Sequence, residues 1–243
     1  MKYLSLLIMA AMVSAAFAQA DLTWGVKAGM NLSQHYGAKG DDLDFEVKSG
    51  LRPGFITGAY LDFAANDNLS LVIEALYSTK GSRQKITIIR MEDDPDGDGI
   101  YEMVDLEKPA IMDVKYFMDY FEVPVLLKLR TLKASNWALH LITGTAMSIK
   151  VKGRHELEGK VFLPDGDDFS EIPITESSDL SSVNMFDFSF IYGGAVDLPV
   201  KFPLSVEYRF TLGWDYLALP TYQFFEPVQL RNQAWSLMLS TRF

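Results

Sequence analysis

The sequence predicts an all-β fold: an eight-stranded antiparallel transmembrane β-barrel with short periplasmic turns and long extracellular loops. Three observations predict it. The chain ends on Phe243, closing a segment in which Trp235, Leu237, Leu239, Thr241 and Phe243 share one face and Ala234, Ser236, Met238, Ser240 and Arg242 the other. It begins with Lys2, a short apolar run from Tyr3 to Val13 and the small-x-small site Ala16-Phe17-Ala18, the pattern of an export signal. Between these ends lie eight alternating segments, joined by links that are short and long in strict turn.

The two termini set the address. A terminal aromatic on an alternating strand looks like the closing strand that the barrel-assembly machinery of Gram-negative bacteria reads. The expected location is therefore the outer membrane of a Gram-negative bacterium, with outer-membrane lipid and that machinery as partners. Cleavage after Ala18 divides the chain into a signal peptide, 1–18, and a barrel domain, 19–243. The leading apolar run is short for a membrane helix, which needs about 20 residues. The chain has no cysteine, which excludes disulfides and a lipid-modified cysteine. A formal charge of −10 and a pI near 4.8 argue against nucleic acid, which calls for a basic face.

The segments follow in order. The first, Leu22 to Leu32, aligns Leu22, Trp24, Val26, Ala28, Met30 and Leu32 against Thr23, Gly25, Lys27, Gly29 and Asn31. The second runs from about Phe55 to Phe63. The third starts at Leu69, with Leu71, Ile73, Ala75 and Tyr77 opposite Ser70, Glu74 and Ser78. In the fourth, Tyr120 to Leu132, the residues Phe121, Val123, Val125, Leu127 and Leu129 oppose Glu122 and Lys128. The fifth is Trp137 to Val151, the sixth Asp187 to Leu198, the seventh Leu204 to Trp214, and the eighth closes the chain. Each offers about ten residues of alternation, the length a tilted strand needs to cross a bilayer.

Short links follow the second, fourth and sixth segments: Ala64 to Asn68, Lys133 to Asn136 and Pro199 to Pro203. The other links are long and polar. With a periplasmic N-terminus every short link is periplasmic and every long one external. The faces are inverted relative to a soluble barrel, because the second face carries Gly, Ser, Thr and single charges. Trp24, Trp137, Trp214 and Trp235 lie near strand ends, where interfacial girdles form.

Several phrases resemble the PorT-like outer-membrane β-barrel family. They are Trp24-Gly25-Val26-Lys27-Ala28-Gly29-Met30-Asn31-Leu32, then Glu74 to Gly81, then Tyr120-Phe121-Glu122-Val123-Pro124-Val125-Leu126-Leu127-Lys128. Phe188 to Val196 and Glu207 to Gly213 match later strands in order. The resemblance implies an eight-stranded outer-membrane barrel and no shared catalytic motif. Some members of the family assist protein secretion.

Glu74, Glu122, Lys128, Glu207 and Arg209 fall on the inward face. They form either a charged constriction that selects solutes or an internal ion-pair network that neutralises charge in a narrow barrel. The second reading is favoured, because eight-strand interiors are filled by side chains. Pro124 lacks an amide donor and suggests a bulge or a local break in the ladder. Of the histidines, His140 alternates inward, and His35 and His155 belong to no known signature.

One loop motif stands out. The run from Asp94 to Asp105 places Asp94, Asp96, Asp98, Glu102 and Asp105 at positions one, three, five, nine and twelve of a calcium loop, with Gly99 at position six. The Ile100 carbonyl and a water on Glu102 complete the oxygen set. It looks like the loops of dockerins and thrombospondin-type repeats; the other reading is a solvated acidic turn. The flanking segments, Lys85 to Met91 and Pro109 to Tyr116, could extend the third and fourth strands and carry this loop on a projecting hairpin.

The expected protein is a monomeric barrel with a structural or interaction role, displaying acidic extracellular loops to an extracellular or envelope partner. It has no catalytic site and no cofactor beyond the candidate Ca2+. The alternative is a narrow porin-like channel for ions or small solutes, and the third reading is a rim-active enzyme.

Overall fold

Eight strands close into a ring. The computed structural model describes residues 21–37, 45–93, 102–134, 137–165, 168–180, 184–214, 217–218 and 229–243; the expected export signal, 1–18, lies outside them. The strands are β1 (Asp21–Gly37), β2 (Phe45–Gly50), β3 (Arg52–Ala64), β4 (Leu69–Asp93), β5 (Glu102–Lys133), β6 (Ala138–Asp165), β7 (Asp168–Asp179), β8 (Phe186–Asp197), β9 (Leu204–Gly213), β10 (Leu217–Ala218) and β11 (Gln229–Arg242). The ring order is β1-β3-β4-β5-β6-β8-β9-β11, and β11 pairs antiparallel with β1 from Gly25↔Arg242 to Gly37↔Leu230. Closure leaves the ring without a free edge, which a sheet in lipid requires. The last residue takes part: the Phe243 amide donates to the Trp24 carbonyl at 2.8 Å, and the two rings lie 4.7 Å apart.

Alternation sorts the ring's side chains as the sequence predicts. Trp24, Met30, Leu141, Tyr208, Leu237 and Leu239 are exposed on the outside, while Lys27, Glu74, Glu122, Glu207 and Arg209 are buried inside. An apolar outer band and a polar interior are what a lipid-facing barrel needs. The β4–β5 pairing lapses between Ile73↔Val125 and Leu76↔Glu122 and resumes in the same register. That gap sits at Pro124, so the missing amide gives a local break there and no bulge.

Beyond the ring the long strands continue. β4 and β5 pair as far as Asp93↔Glu102, across a register shift between Ile88↔Ala110 and Arg90↔Asp105, which gives the projecting hairpin expected from the sequence. The stretch 152–184, read from sequence as a long polar link, contains a second one: β6 runs 28 residues and pairs with β7 from Arg154↔Asp179 to Asp165↔Asp168. β2 adds to β4 at Lys48↔Lys85. Together β2, β4, β5, β6 and β7 make a five-stranded wing above the ring.

The wing has its own core on the inner face: Val114, Tyr116, Met118, Tyr120, Leu157 and Leu180, with Ile86, Met112 and Ile174 packed against it. Its outer face carries ion pairs, Arg83–Asp113 at 2.9 Å, Lys115–Glu158 at 3.1 Å and Lys160–Glu171 at 2.5 Å. Gly81 marks the point where β4 leaves the ring. Its φ of +151° suits glycine, and a Cβ there would collide with the Tyr116 carbonyl. The Ser33 hydroxyl donates to the Gly81 carbonyl and accepts from its amide, each at 2.9 Å.

Candidate functional site: the closed lumen

Four charges from three strands meet inside the ring. Lys27 of β1 donates to Glu74 of β4 at 2.5 Å and to Glu207 of β9 at 2.9 Å. Arg209, also on β9, grips both Glu74 oxygens through its two terminal nitrogens at 2.6 Å and bonds Glu207 through Nε. Two cations and two anions cancel, so the cluster is neutral. All four side chains are at most 6% exposed. Alternation alone explains their meeting: each sits on the inward parity of its strand, at registers where β1, β4 and β9 lie across the lumen from one another. An ion pair this deep persists only if every charge is matched, since an orphan in a low-dielectric interior is expensive.

Two further pairs line the same column. Glu122 meets Lys80 at 2.7 Å, and Lys128 faces Asp62 at 3.5 Å. The five expected residues are therefore all internal, but they form three neutral clusters and not one network. Three partners, Lys27, Lys80 and Asp62, were missing from the expected site. Lys27 stands on the small and polar parity of its strand, so its signal was present, whereas Asp62 shares a parity with Ile56, Gly58 and Tyr60. Lys80 needed the third strand to be followed past Ser78.

The remaining lumen is narrow. A cavity of about 20 Å³ lies beside Tyr60, Asp62, Lys128 and the tetrad, room for about one water. Among the described residues the larger hollow, about 600 Å³, is outside the wall, between Val125, Thr145, Met147, Phe190 and Trp214. It opens on the bilayer side and belongs to no passage through the barrel.

The histidines face inward. His140 Nε2 lies 3.0 Å from Asp197, whose other oxygen accepts from Ser205 at 2.6 Å. His35 Nδ1 is 2.7 Å from the Ser82 hydroxyl, with both side chains fully buried. His155 Nε2 is 3.3 Å from the Ser178 hydroxyl, and the Tyr116 ring lies between the His35 and His155 rings at 5.4 and 6.2 Å. No sequence signal joins them, because His35 and His155 reach the same Tyr116 ring only through the register of the wing base.

Of the candidate calcium ligands, Asp94, Asp96, Asp98 and Ile100 lie outside the described residues. Glu102 and Asp105 are strand residues of β5, opposite Asp93 and Arg90. The link between β4 and β5 is thus shorter than the expected twelve-residue loop, and Asp105 sits roughly 10 Å along the strand from Glu102.

Solved structures and one family model match the chain. Solved structures that resemble the chain include the attachment invasion locus protein Ail of Yersinia pestis, at 12% identity and a TM-score of 0.36, covering 91% of this chain and 98% of that one. Neisserial surface protein A is 11% identical with a TM-score of 0.40, covering 92% and 99%. OprG of Pseudomonas aeruginosa is 8% identical with a TM-score of 0.39, covering 93% and 98%. At these levels none lends its activity to this chain. No curated protein matches it. A family model matches residues 17–214, most of the length. The chain belongs to the family described as outer membrane protein beta-barrel domain, and it is a β-barrel protein of the Gram-negative outer membrane.

Proposed function

We propose that this barrel is a closed scaffold with a structural or interaction role, which holds a β-wing and its acidic tips outside the cell. The observation that carries the reading is the Lys27–Glu74–Arg209–Glu207 tetrad, neutral and buried across the lumen. A pore would need water along its axis, and the cavity that adjoins the tetrad among the described residues holds about 20 Å³. The same reading assigns no catalysis: Ser82 and His35 touch, but neither has surface for a substrate to reach. Within its family we read the chain as PorT-like, a reading supported by the Glu122-Val123-Pro124-Val125-Leu126-Leu127-Lys128 phrase.

Planar-bilayer recording of the purified protein tests this. The expected result is a silent bilayer. Stable, reproducible openings whose conductance changes in a Lys27→Met variant would replace the closed scaffold with a narrow channel for ions or small solutes.

A further inference from the structure

The wing ends on a bare strand. β7 pairs with β6 and with no other strand among the described residues. Residues 171–179 are exposed, apart from the half-buried Ile174. Which of its backbone groups face outward follows from the ladder. The Leu180 amide donates to the Gly153 carbonyl at 3.0 Å, and the β6–β7 register continues from there through Arg154↔Asp179. Residues of an antiparallel pair alternate between those that bond the neighbour and those that point away. Ser178, Glu176, Ile174 and Ile172 therefore bond β6. Asp179, Ser177, Thr175 and Pro173 turn their backbone groups to the free edge.

Pro173 has no amide, so it blunts the edge at its own position without cutting a bond to β6, as edge prolines do. The stretch from Thr175 to Asp179 is not blunted. It offers three outward amides and three outward carbonyls, the template for strand addition.

The side chains specify the strand that fits. From 168 to 179 the chain carries Asp168, Glu171, Glu176 and Asp179 and no Lys or Arg. On the inner face Ile172 is exposed and Ile174 packs on the wing core. Glu171 is already paired with Lys160, so a strand added beside residues 175–179 would meet the carboxylates of Glu176 and Asp179 and, on one face, the rim of an apolar core. A second copy of this chain fits poorly, because β7 against β7 sets acid against acid.

We propose that the 175–179 edge of β7 accepts an extended segment of an extracellular or envelope protein as a sixth wing strand, and that this segment alternates basic and apolar residues. The proposal rests on the interaction reading of the barrel and names the chemistry of its partner.

The test uses the full barrel in lipid nanodiscs and a synthetic Lys/Val alternating nonapeptide as probe. Hydrogen exchange at the Thr175, Ser177 and Asp179 amides should slow at least tenfold when the peptide is added, with the β6 amides unchanged. A Ser177→Pro variant removes one outward amide and leaves the β6 ladder intact, so peptide affinity should fall at least tenfold; Ser177→Ala should bind as the parent does. A Lys/Val peptide N-methylated on alternate residues, and a Glu/Val peptide, should both fail. Equal binding of the Ser177→Pro variant or of the N-methylated peptide would reduce the effect to loose charge attraction and overturn strand addition. No protection of the three amides, or their protection by self-association without peptide, would overturn it too. Bilayer conductance of the same samples reads the closed lumen separately, so the edge and the plug can fail independently.

Discussion

The ring and the wing are built from the same strands with opposite rules. On the lower half of β5, Phe121, Val125, Leu127 and Leu129 point outward and Glu122 points in. On its upper half, Val114, Tyr116 and Met118 point in, and Asp113 and Lys115 lie on the charged outer face. Inward parity is the same from Ala110 to Lys128 of β5; the chemistry placed on it changes. The change falls near a register shift at Asp119/Tyr120, where β6 skips Val151. On β6 the bulge also moves the inward set from even positions, such as His140 and Ser148, to odd ones, His155 and Leu157. Lipid outside rewards apolar outward residues, and water outside rewards the reverse. A strand that crosses the interface must therefore invert its polarity pattern, and the bulge is where β6 does so.

The ring's rule is tested hardest by stranding a charge inside it. Arg209→Ala leaves Glu74 and Glu207 with Lys27 alone, and removing one partner of a buried ion cluster costs about 3–5 kcal/mol. Urea unfolding in lipid vesicles, followed by gel mobility, should show a loss of that order. Hydrogen exchange at the Val114 and Leu157 amides should not change, because the wing has a separate core. A loss below about 1 kcal/mol, the scale of an exposed pair, would mean the tetrad is not what holds the interior together.

A matched pair of outward substitutions separates the lipid-facing surface from the water-facing one. Leu239 on β11 and Ile111 on β5 both face outward and are 53% and 43% exposed. Arginine near the bilayer midplane of a barrel costs about 2–4 kcal/mol, so Leu239→Arg should destabilise by that amount. Ile111→Arg faces water and should stay within about 0.5 kcal/mol of the parent. Equal costs would show that the two outer faces share one solvent.

How far the sequence revealed each region follows from this inversion. The ring was legible because Leu22 to Leu32 or Leu204 to Trp214 puts every large apolar residue on one parity for ten residues. The β4–β5 hairpin was partly legible, since Ile86 and Ile88 keep the β4 alternation going past Gly81. The β6–β7 hairpin was not. The bulge at Val151 breaks the parity, and Glu156, Glu158, Glu171 and Glu176 lend the stretch the composition of a solvated loop. The lumen was legible as a list of inward charges, and its pairing was not, because partners such as Lys27 and Glu207 are 180 residues apart.

The tip of the wing carries a smaller effect. We propose that the acidic run from Asp94 to Glu102 binds calcium weakly, since clustered carboxylates repel one another and a divalent ion relieves this. Extracellular sites bind with Kd of about 10⁻⁴ to 10⁻³ M. At about 1 mM calcium, linkage then adds about 0.4 to 1.4 kcal/mol, confined to the hairpin end. Titration calorimetry should show heat that disappears in an Asp96→Ala, Asp98→Ala variant. Identical heats for both proteins would leave a solvated acidic turn.

The smallest effect tests the outer face of the wing at a single pair. The Arg83 guanidinium donates to Asp113 through Nε at 2.9 Å and through a terminal nitrogen at 3.1 Å. Those hydrogen bonds hold the Asp113 carboxyl below the usual carboxylate range, working against its partial burial. A carboxyl whose folded value is depressed contributes stability that is complete above its unfolded pKa, about 3.9. That contribution is lost as pH falls through the lower folded value. Arg83 is exposed and Asp113 half-buried at the surface, so salt screens the pair and its contribution is slight. In Arg83→Ala the Asp113 carboxyl should titrate closer to its ordinary value, read by carboxyl NMR in nanodiscs. The loss of wing amide protection on acidification should become shallower in that variant. The ring amides should show the same acid response in both proteins, because their charges are matched inside and Asp113 lies outside. An unchanged Asp113 titration would mean that the Arg83 contact does not persist in water, and that the wing's outer face is held by its ladder alone.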